Sequence, residues 1–170
     1  MSGTRVPFIL FLALIVAAVA QAIKNYALLP DRMASHFGVS GAPNNWMDKP
    51  QFFMVYAGVV VLAAIVGFAV PWRIAQLPPS SINLPNKEYW LAPERRDETF
   101  AFLQRHFAWF GCALLLLLVC VMELVMRADL DPAPQLPAQE VLLFIFGFLL
   151  FTFFWIVAIF RRFSLPREST

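Results

Sequence analysis

The sequence predicts an all-α integral membrane protein with four transmembrane helices, a short outward loop and an amphipathic helix in a cytoplasmic loop. Two observations lead to this fold class. Hydrophobic residues make up 60% of the chain and charged residues only 14%, whereas soluble domains carry roughly a quarter charged residues. The apolar residues also collect in four runs of the length that a spanning helix needs. A lipid bilayer must therefore solvate them.

The four predicted spans are residues 6–29, 52–72, 107–126 and 141–160. Prolines lie at or near the ends of these runs, where they start or stop a helix at little cost. We expect three parts: a two-span unit over 1–72, a cytoplasmic loop over 73–106 and a second two-span unit over 107–170. Ala18-Val19-Ala20 resembles a signal-peptide cleavage site. Because the apolar run continues to Leu29, we expect the first span to be retained; cleavage would leave three spans.

Basic residues are divided unequally between the two sides of these spans. Nine lie on the side of the termini and the middle loop, namely Arg5, Arg73, Lys87, Arg95, Arg96, Arg105, Arg161, Arg162 and Arg167. Four lie on the other side, namely Lys24, Arg32, Lys49 and Arg127. The positive-inside rule then places both termini in the cytoplasm. The formal net charge of +2 is too small and dispersed for a nucleic-acid surface.

The loop between the first two spans is the most distinctive segment. Gly38 and Gly41 permit positive φ, and Pro43-Asn44-Asn45 is a turn signal. Asp48 is expected to cap the second span, with Pro50 in its first turn. Three aromatic residues are expected at the level of the lipid headgroups: Trp46, Phe52 and Phe53.

The same loop carries the candidate binding residues His36, Phe37, Asn44, Trp46 and Lys49. His36 has the side chain whose charge changes nearest neutral pH, and Asp31 and Asp48 are the residues that we expect to orient it or to supply oxygen ligands beside it. A metal site is not expected, because zinc takes about four protein ligands and His106 lies on the opposite side. The alternative is a compact turn that aromatic residues merely anchor.

The loop also carries a resemblance to a known family. Leu29-Pro30, His36-Phe37, Gly41, Pro43-Asn44, Trp46 and Lys49 resemble the signature of the domain-of-unknown-function 1648 family, which also occurs in SdpI-type immunity and signalling proteins of bacteria. The resemblance covers the first two spans and their loop. The family pattern often has proline and asparagine where this chain has Ala34 and Gly38. It implies a protein of the bacterial cytoplasmic (inner) membrane but not toxin immunity, because most members have no assigned function.

The cytoplasmic loop offers a second set of contact residues, for lipid or a protein partner: Tyr89, Trp90, Arg95 and Arg96. Pro93 suits the first position of a helix. Phe100, Leu103 and Phe107 then repeat at helical spacing, which predicts an amphipathic surface helix that runs into the third span. The alternative is a solvated anchor for that span.

Few other features inside the spans point to chemistry. Glu123 and Arg127 have the i, i+4 spacing of an ion pair. Cys112 and Cys120 lie about 12 Å apart on one helix, too far for a disulfide. Small residues repeat at helix-packing spacing in the first two spans: Ala13 and Ala17, then Ala63 and Gly67.

These patterns favour a non-enzymatic recognition, immunity or signalling module that acts through its outward loop. The sequence does not distinguish between a peptide, a lipid and a partner protein as the target of this loop. It also leaves self-association as an alternative. A small transporter, or an accessory subunit of a transport complex, is the alternative. A membrane enzyme is not expected, because no nucleophile–base pair is evident, and no cofactor is expected.

The topology can be tested directly. A reporter fused after Thr170 should be active only in its cytoplasmic form, because the nine basic residues keep that side inside. Paired reporters that work only in the cytoplasm or only outside it would measure this. Activity of the external reporter would contradict the assignment.

Overall fold

A computed structural model describes residues 3–164; Arg167, counted above among the basic residues, lies outside this range. Its helices are α1 (Arg5–Tyr26), α2 (Lys49–Ala64), α3 (Val70–Ile74), α4 (Lys87–Trp90), α5 (Pro93–Asp129) and α6 (Ala138–Arg162), with strands β1 (Arg32–Phe37) and β2 (Pro43–Asp48). A π-helical turn, Ile65–Ala69, joins α2 to α3 without a break. Four helical segments are long and apolar enough to cross a membrane, which confirms the predicted fold class.

The observed spans differ from the predicted ones mainly in length. Helix α5 has 37 residues, about 55 Å at 1.5 Å per residue, whereas a bilayer's hydrocarbon core is about 30 Å thick. It begins at Pro93, in the first turn as predicted. The predicted loop over 73–106 therefore contains the first turns of α5, and the whole helix is longer than the hydrocarbon core requires.

Helix α5 is the centre of the bundle. Helices α1, α2 and α6 all pack against it. On one side, Phe11 of α1 and Ala63 of α2 are buried with Cys112 and Leu115 of α5. Helix α6, in contrast, has no buried residue, which suits a surface that faces lipid. Cys112 and Cys120 are both free thiols.

The closest helix crossing joins the π-helical turn to α5. A Cβ atom built on Gly111 would lie 2.8 Å from Cα of Gly67 and 3.2 Å from the carbonyl oxygen of Ala63. The predicted pair Ala63 and Gly67 therefore forms a helix contact. The other predicted pair does not, because Ala13 and Ala17 are exposed.

Each end of the bundle has its own folded layer. At the hairpin end, β1 and β2 pair in an antiparallel hairpin between α1 and α2. At the terminal end, where α1 begins and α6 ends, α4 and the segment before it pack against the first turns of α5. The buried residues of this second layer are Ile82, Trp90, Leu91, Phe100, Leu103 and Phe163. The apolar face predicted for a membrane surface is thus packed within the protein.

The turn of the hairpin lies earlier than the sequence predicts. Pro43, Asn44 and Asn45 belong to strand β2, and the connection is 38–42. Gly41 has φ of +81°, so it supplies the left-handed residue that the turn requires. Pro43 is tolerated because it lies at the end of an edge strand, where no ladder hydrogen bond is lost.

The glycine crossing gives a stability prediction. Gly111→Ala should destabilise the protein by about 1–3 kcal/mol, because the added methyl group meets the backbone of Gly67. Gly58→Ala and Gly147→Ala are matched controls, since nothing lies within 4 Å of their added atoms. Thermal unfolding in detergent should show a lower Tm for Gly111→Ala alone. Equal Tm values for all three variants would contradict the crossing.

Candidate recognition site at the hairpin end

The hairpin is seated on the ends of the helices by the first half of β1. Met33 and Ala34 have no exposed surface, and Met33 lies in a cluster with Phe52, Tyr56 and Met126. The backbone N–H of Ala34 donates to Oδ1 of Asp129, the last residue of α5, at 2.9 Å. The strand is therefore fixed to α5 by packing and by a buried hydrogen bond.

Lys49 fixes the other edge of the hairpin. Its Nζ donates to the carbonyl oxygen of Leu29 at 2.8 Å, lies 3.6 Å from Asp31 Oδ1 and sits 5.1 Å from the centroid of the Tyr26 ring. Its backbone N–H donates to the carbonyl oxygen of Asp31 at 2.8 Å. Lys49 thus joins the segment after α1 to the start of α2, and this role is structural.

The tip of the hairpin is held by the connection between α5 and α6. The N–H of Leu136 donates to the carbonyl oxygen of Gly41 at 2.9 Å. A Cβ atom at Gly41 would lie 2.6 Å from the carbonyl oxygen of Leu136. Only glycine allows this approach, because a side chain would clash and would also strain the positive φ.

A cleft of about 410 Å³ opens between the hairpin and the chain that follows α5. The residues of its wall that matter chemically are Arg32, Trp46, Asp129 and Asp131, and Pro30 and Pro132 also line it. Trp46 is 39% exposed, whereas Asp129 is only 4% exposed. Oδ2 of Asp129 is buried without a hydrogen-bond partner in the described residues. The wall of the cleft thus contains an exposed aromatic residue and a carboxylate of which only one oxygen has a hydrogen-bond partner in the described residues.

The five predicted binding residues of the loop do not form a single site. Trp46 lines the cleft, and Lys49 is the structural link described above. Exposed His36 donates from Nδ1 to Oδ1 of Asn44 at 2.6 Å across the hairpin, so Asn44 orients it, not Asp31 or Asp48 as predicted. Half-buried Phe37 lies at the turn end of the hairpin.

Two predictions about the start of α2 have different outcomes. Asp48 is the N-cap residue and Pro50 lies in the first turn, as predicted, although the Asp48 side chain makes no capping hydrogen bond. Phe52 is only 5% exposed and belongs to the cluster beneath Met33. The headgroup position predicted for Phe52 is wrong, because the hairpin covers that face of α2.

A polar cluster that the sequence analysis missed joins three spans below the hairpin. Gln21 Nε2 donates to Glu123 Oε2 at 2.8 Å and to the carbonyl oxygen of Val119 at 3.1 Å. Gln21 Oε1 accepts from the Tyr56 hydroxyl at 2.7 Å. The predicted pair of Glu123 and Arg127 is present, with Nε to Oε1 at 2.7 Å. The available signal was Gln21 itself, an uncharged polar residue within an apolar run.

At the terminal end, two of the four candidate contact residues are engaged within the protein. Trp90 is only 8% exposed and donates from Nε1 to the carbonyl oxygen of Phe163 at 3.1 Å. Arg96 donates to the carbonyl oxygens of Ala75 and Leu77. This burial corrects the expected contact of Trp90 with lipid or a partner.

The other two candidates, Tyr89 and Arg95, are half-buried. The Arg95 guanidinium lies 4.0 Å from the centroid of the Tyr89 ring, within cation–π range. They form a small surface feature that remains available for contact with lipid or a partner. A wider concavity of about 820 Å³ nearby is lined by Arg96 and Arg105.

The candidate metal ligands of the described part of the chain do not cluster. Between residues 3 and 164, no group of three or more His, Cys, Asp or Glu side chains is placed to hold a metal ion. The chemistry available at the hairpin end is ligand binding. The groups that can contact a ligand are the Trp46 ring, the Arg32 cation and the carboxylates of Asp129 and Asp131.

Comparison with known proteins identifies part of the chain. Residues 9–60 match the family model described as "Domain of unknown function (DUF1648)". The match includes most of α1, the whole hairpin and most of α2, and covers less than half of the 170 residues. No curated protein and no solved structure matches the chain significantly.

The role of Lys49 can be measured. Lys49→Met keeps the aliphatic stem but loses the partly buried hydrogen bond to Leu29, and should destabilise the hairpin by about 1–3 kcal/mol. Hydrogen exchange at the Ala34 amide should become faster, in proportion to that loss. Lys24→Met, which changes an exposed lysine of α1, is the control. Unchanged exchange in Lys49→Met would show that the hairpin does not depend on this link.

Proposed function

We propose, from the DUF1648 domain at residues 9–60 and the cleft beside it, that this chain is a protein of the bacterial inner membrane and acts as a non-enzymatic recognition module. Its binding surface is the hairpin end, which faces outward. The observation that carries the proposal is the cleft of about 410 Å³ with an exposed tryptophan on its wall. Immunity or signalling is the kind of role that such a surface would serve.

The attachment of the hairpin supports a binding role. The hairpin is fixed to α5 through Ala34, to the segment after α1 through Lys49, and to the α5–α6 connection through Gly41. A binding surface that is already ordered loses less conformational freedom when a ligand arrives. The three attachments therefore favour recognition by a preformed surface.

The residues that remain exposed on this surface are suited to binding. Tryptophan and arginine dominate the binding energy of many interfaces, and both Trp46 and Arg32 line the cleft. Among the described residues, Arg32 forms no ion pair within 4.0 Å, unlike Lys49 and Arg127. The positive charge of Arg32 is therefore not paired with an acidic side chain of the described residues.

The outward direction of the hairpin rests on charge. The terminal end carries the larger share of the basic residues, which favours its position in the cytoplasm. In this arrangement Tyr89 and Arg95 face the cytoplasm, where they are suited to contact a partner or anionic lipid.

A small transporter, or an accessory subunit of one, is the second candidate. The cluster of Gln21, Tyr56 and Glu123 favours it, because polar groups between spans mark the pathways of many transporters. However, Glu123 is paired with Arg127, near the hairpin end of α5, whereas transporter sites usually lie near the middle of the membrane. The cluster therefore supports helix association better than transport.

The recognition proposal predicts a separation of function from folding. Trp46→Ala and Arg32→Gln should keep wild-type membrane levels, because both side chains are exposed, yet fail to rescue the phenotype of a deletion strain. Loss of an anchor of this kind typically weakens binding by about 2 kcal/mol, which is about thirtyfold. Trp72→Ala, at an exposed tryptophan of the opposite end, is the matched control and should rescue.

Measurements of membrane level and of particle size in detergent must accompany each rescue assay. Full rescue by both cleft variants would refute the recognition role of this surface. Parallel loss of level and rescue would instead show that Trp46 and Arg32 stabilise the hairpin, and would favour the alternative of a purely structural turn.

A further inference from the structure

The strongest unexplained feature of the cleft is the carboxylate of Asp129. It is almost completely buried, and only Oδ1 has a partner, the N–H of Ala34. Oδ2 has none in the described residues. A buried polar atom without a hydrogen bond is costly, and a buried charge without a counter-charge is more so. A ligand that brings a donor and a positive charge would remove both costs.

No cationic side chain of the described residues forms an ion pair with this carboxylate. Arg127 is paired with Glu123, and Lys49 is bound to Leu29 and Asp31. Arg32 lines the same cleft but lies more than 4.0 Å from every acidic group in the described part of the chain. No cationic side chain of the described residues therefore pairs with Asp129, and its ionised form gains a counter-charge only from a bound ligand.

We infer that the cleft binds a primary ammonium group, with Asp129 as its acceptor and the Trp46 ring beside it. The inference rests on the proposed function and names the ligand class of the same site. Trp46 is the type of ring that attracts cations most strongly. Asp131, also on the wall, adds a second negative charge; its Oδ1 already accepts from the N–H of Ala133.

Because Oδ2 is the carboxylate oxygen without a partner in the described residues, it also determines which type of cation fits the site. A guanidinium binds a carboxylate best through two parallel hydrogen bonds, but Oδ1 of Asp129 is already occupied by Ala34. A quaternary ammonium has no N–H with which to satisfy Oδ2. A primary ammonium is compact and can direct one of its three donors at a single oxygen, so it matches what the site leaves open.

Arg32 indicates a second feature of the ligand. Its guanidinium lies on the same cleft without an ion pair in the described residues, and arginine binds phosphate well. Phosphoethanolamine carries both an ammonium and a phosphate group and is therefore the probe of choice. This chemistry occurs in the headgroup of phosphatidylethanolamine and in free amines, and the experiment must separate these two sources.

The test uses the full chain in nanodiscs of phosphatidylcholine. Saturation-transfer NMR should detect binding of phosphoethanolamine, and phosphocholine should bind at least about tenfold more weakly because it has no N–H donor. Asp129→Asn keeps an acceptor for Ala34 but removes the charge, and should weaken phosphoethanolamine binding about tenfold or more. Asp48→Asn, an exposed carboxylate of the hairpin outside the cleft, is the matched control and should bind as the wild type does.

Equal binding of the two probes, no binding of either, or wild-type affinity in Asp129→Asn would overturn the inference. Should Asp129→Asn fail to fold, the comparison of the two probes on the wild-type protein decides alone. Repeating the titration in phosphatidylethanolamine nanodiscs identifies the source. Weaker binding of the soluble probe there indicates that the lipid headgroup fills the cleft, and unchanged binding indicates a free amine.

Failure of this inference can be distinguished from failure of the proposed function. If phosphoethanolamine does not bind while Trp46→Ala still loses rescue, the surface recognises a ligand of another class. If phosphoethanolamine binds while Trp46→Ala and Arg32→Gln rescue fully, the cleft binds ammonium but this binding does not serve the biological role.

Discussion

Close packing against α5 is the constraint on which the structure depends. In lipid, apolar surfaces gain little by meeting each other, so helices associate through close van der Waals contact and hydrogen bonds. The glycine crossing at Gly111 and Gly67 supplies the first, and the Gln21 cluster supplies the second. Both fix α1 and α2 on α5, and this placement brings Ala34 to Asp129. The cleft therefore depends on α5, because α1, α2 and β1 all pack against this helix.

Much of the fold follows from local rules that the sequence displays. Span number follows from composition and length. Pro93 at the start of α5 and Asp48 before α2 follow from preferences at helix ends. The pair of Glu123 and Arg127 follows from spacing on a single helix. Each of these features depends on residues within about one turn of one another, so a single sequence is enough to predict them.

The features that escaped prediction depend on distant parts of the chain. The partners of Gln21 lie on two other helices, and the burial of Trp90 depends on the end of α6. Phe52 looks like an interfacial aromatic until the hairpin covers it. Asp129 belongs to no sequence motif that would single it out, because its role arises only where β1 meets the end of α5. The sequence therefore indicated Trp46, but not the residues that line the cleft with it.

The uninterrupted length of α5 has a mechanical consequence. Its last residue, Asp129, is a wall of the cleft, and its first turns, including Thr99 and Phe100, are buried in the layer at the opposite end. The helix has no proline after its first residue and no π-helical turn along its 37 residues, so it lacks the usual causes of a kink. A shift or rotation of this helix at Asp129 would therefore also move the layer packed around Thr99 and Phe100 at its other end.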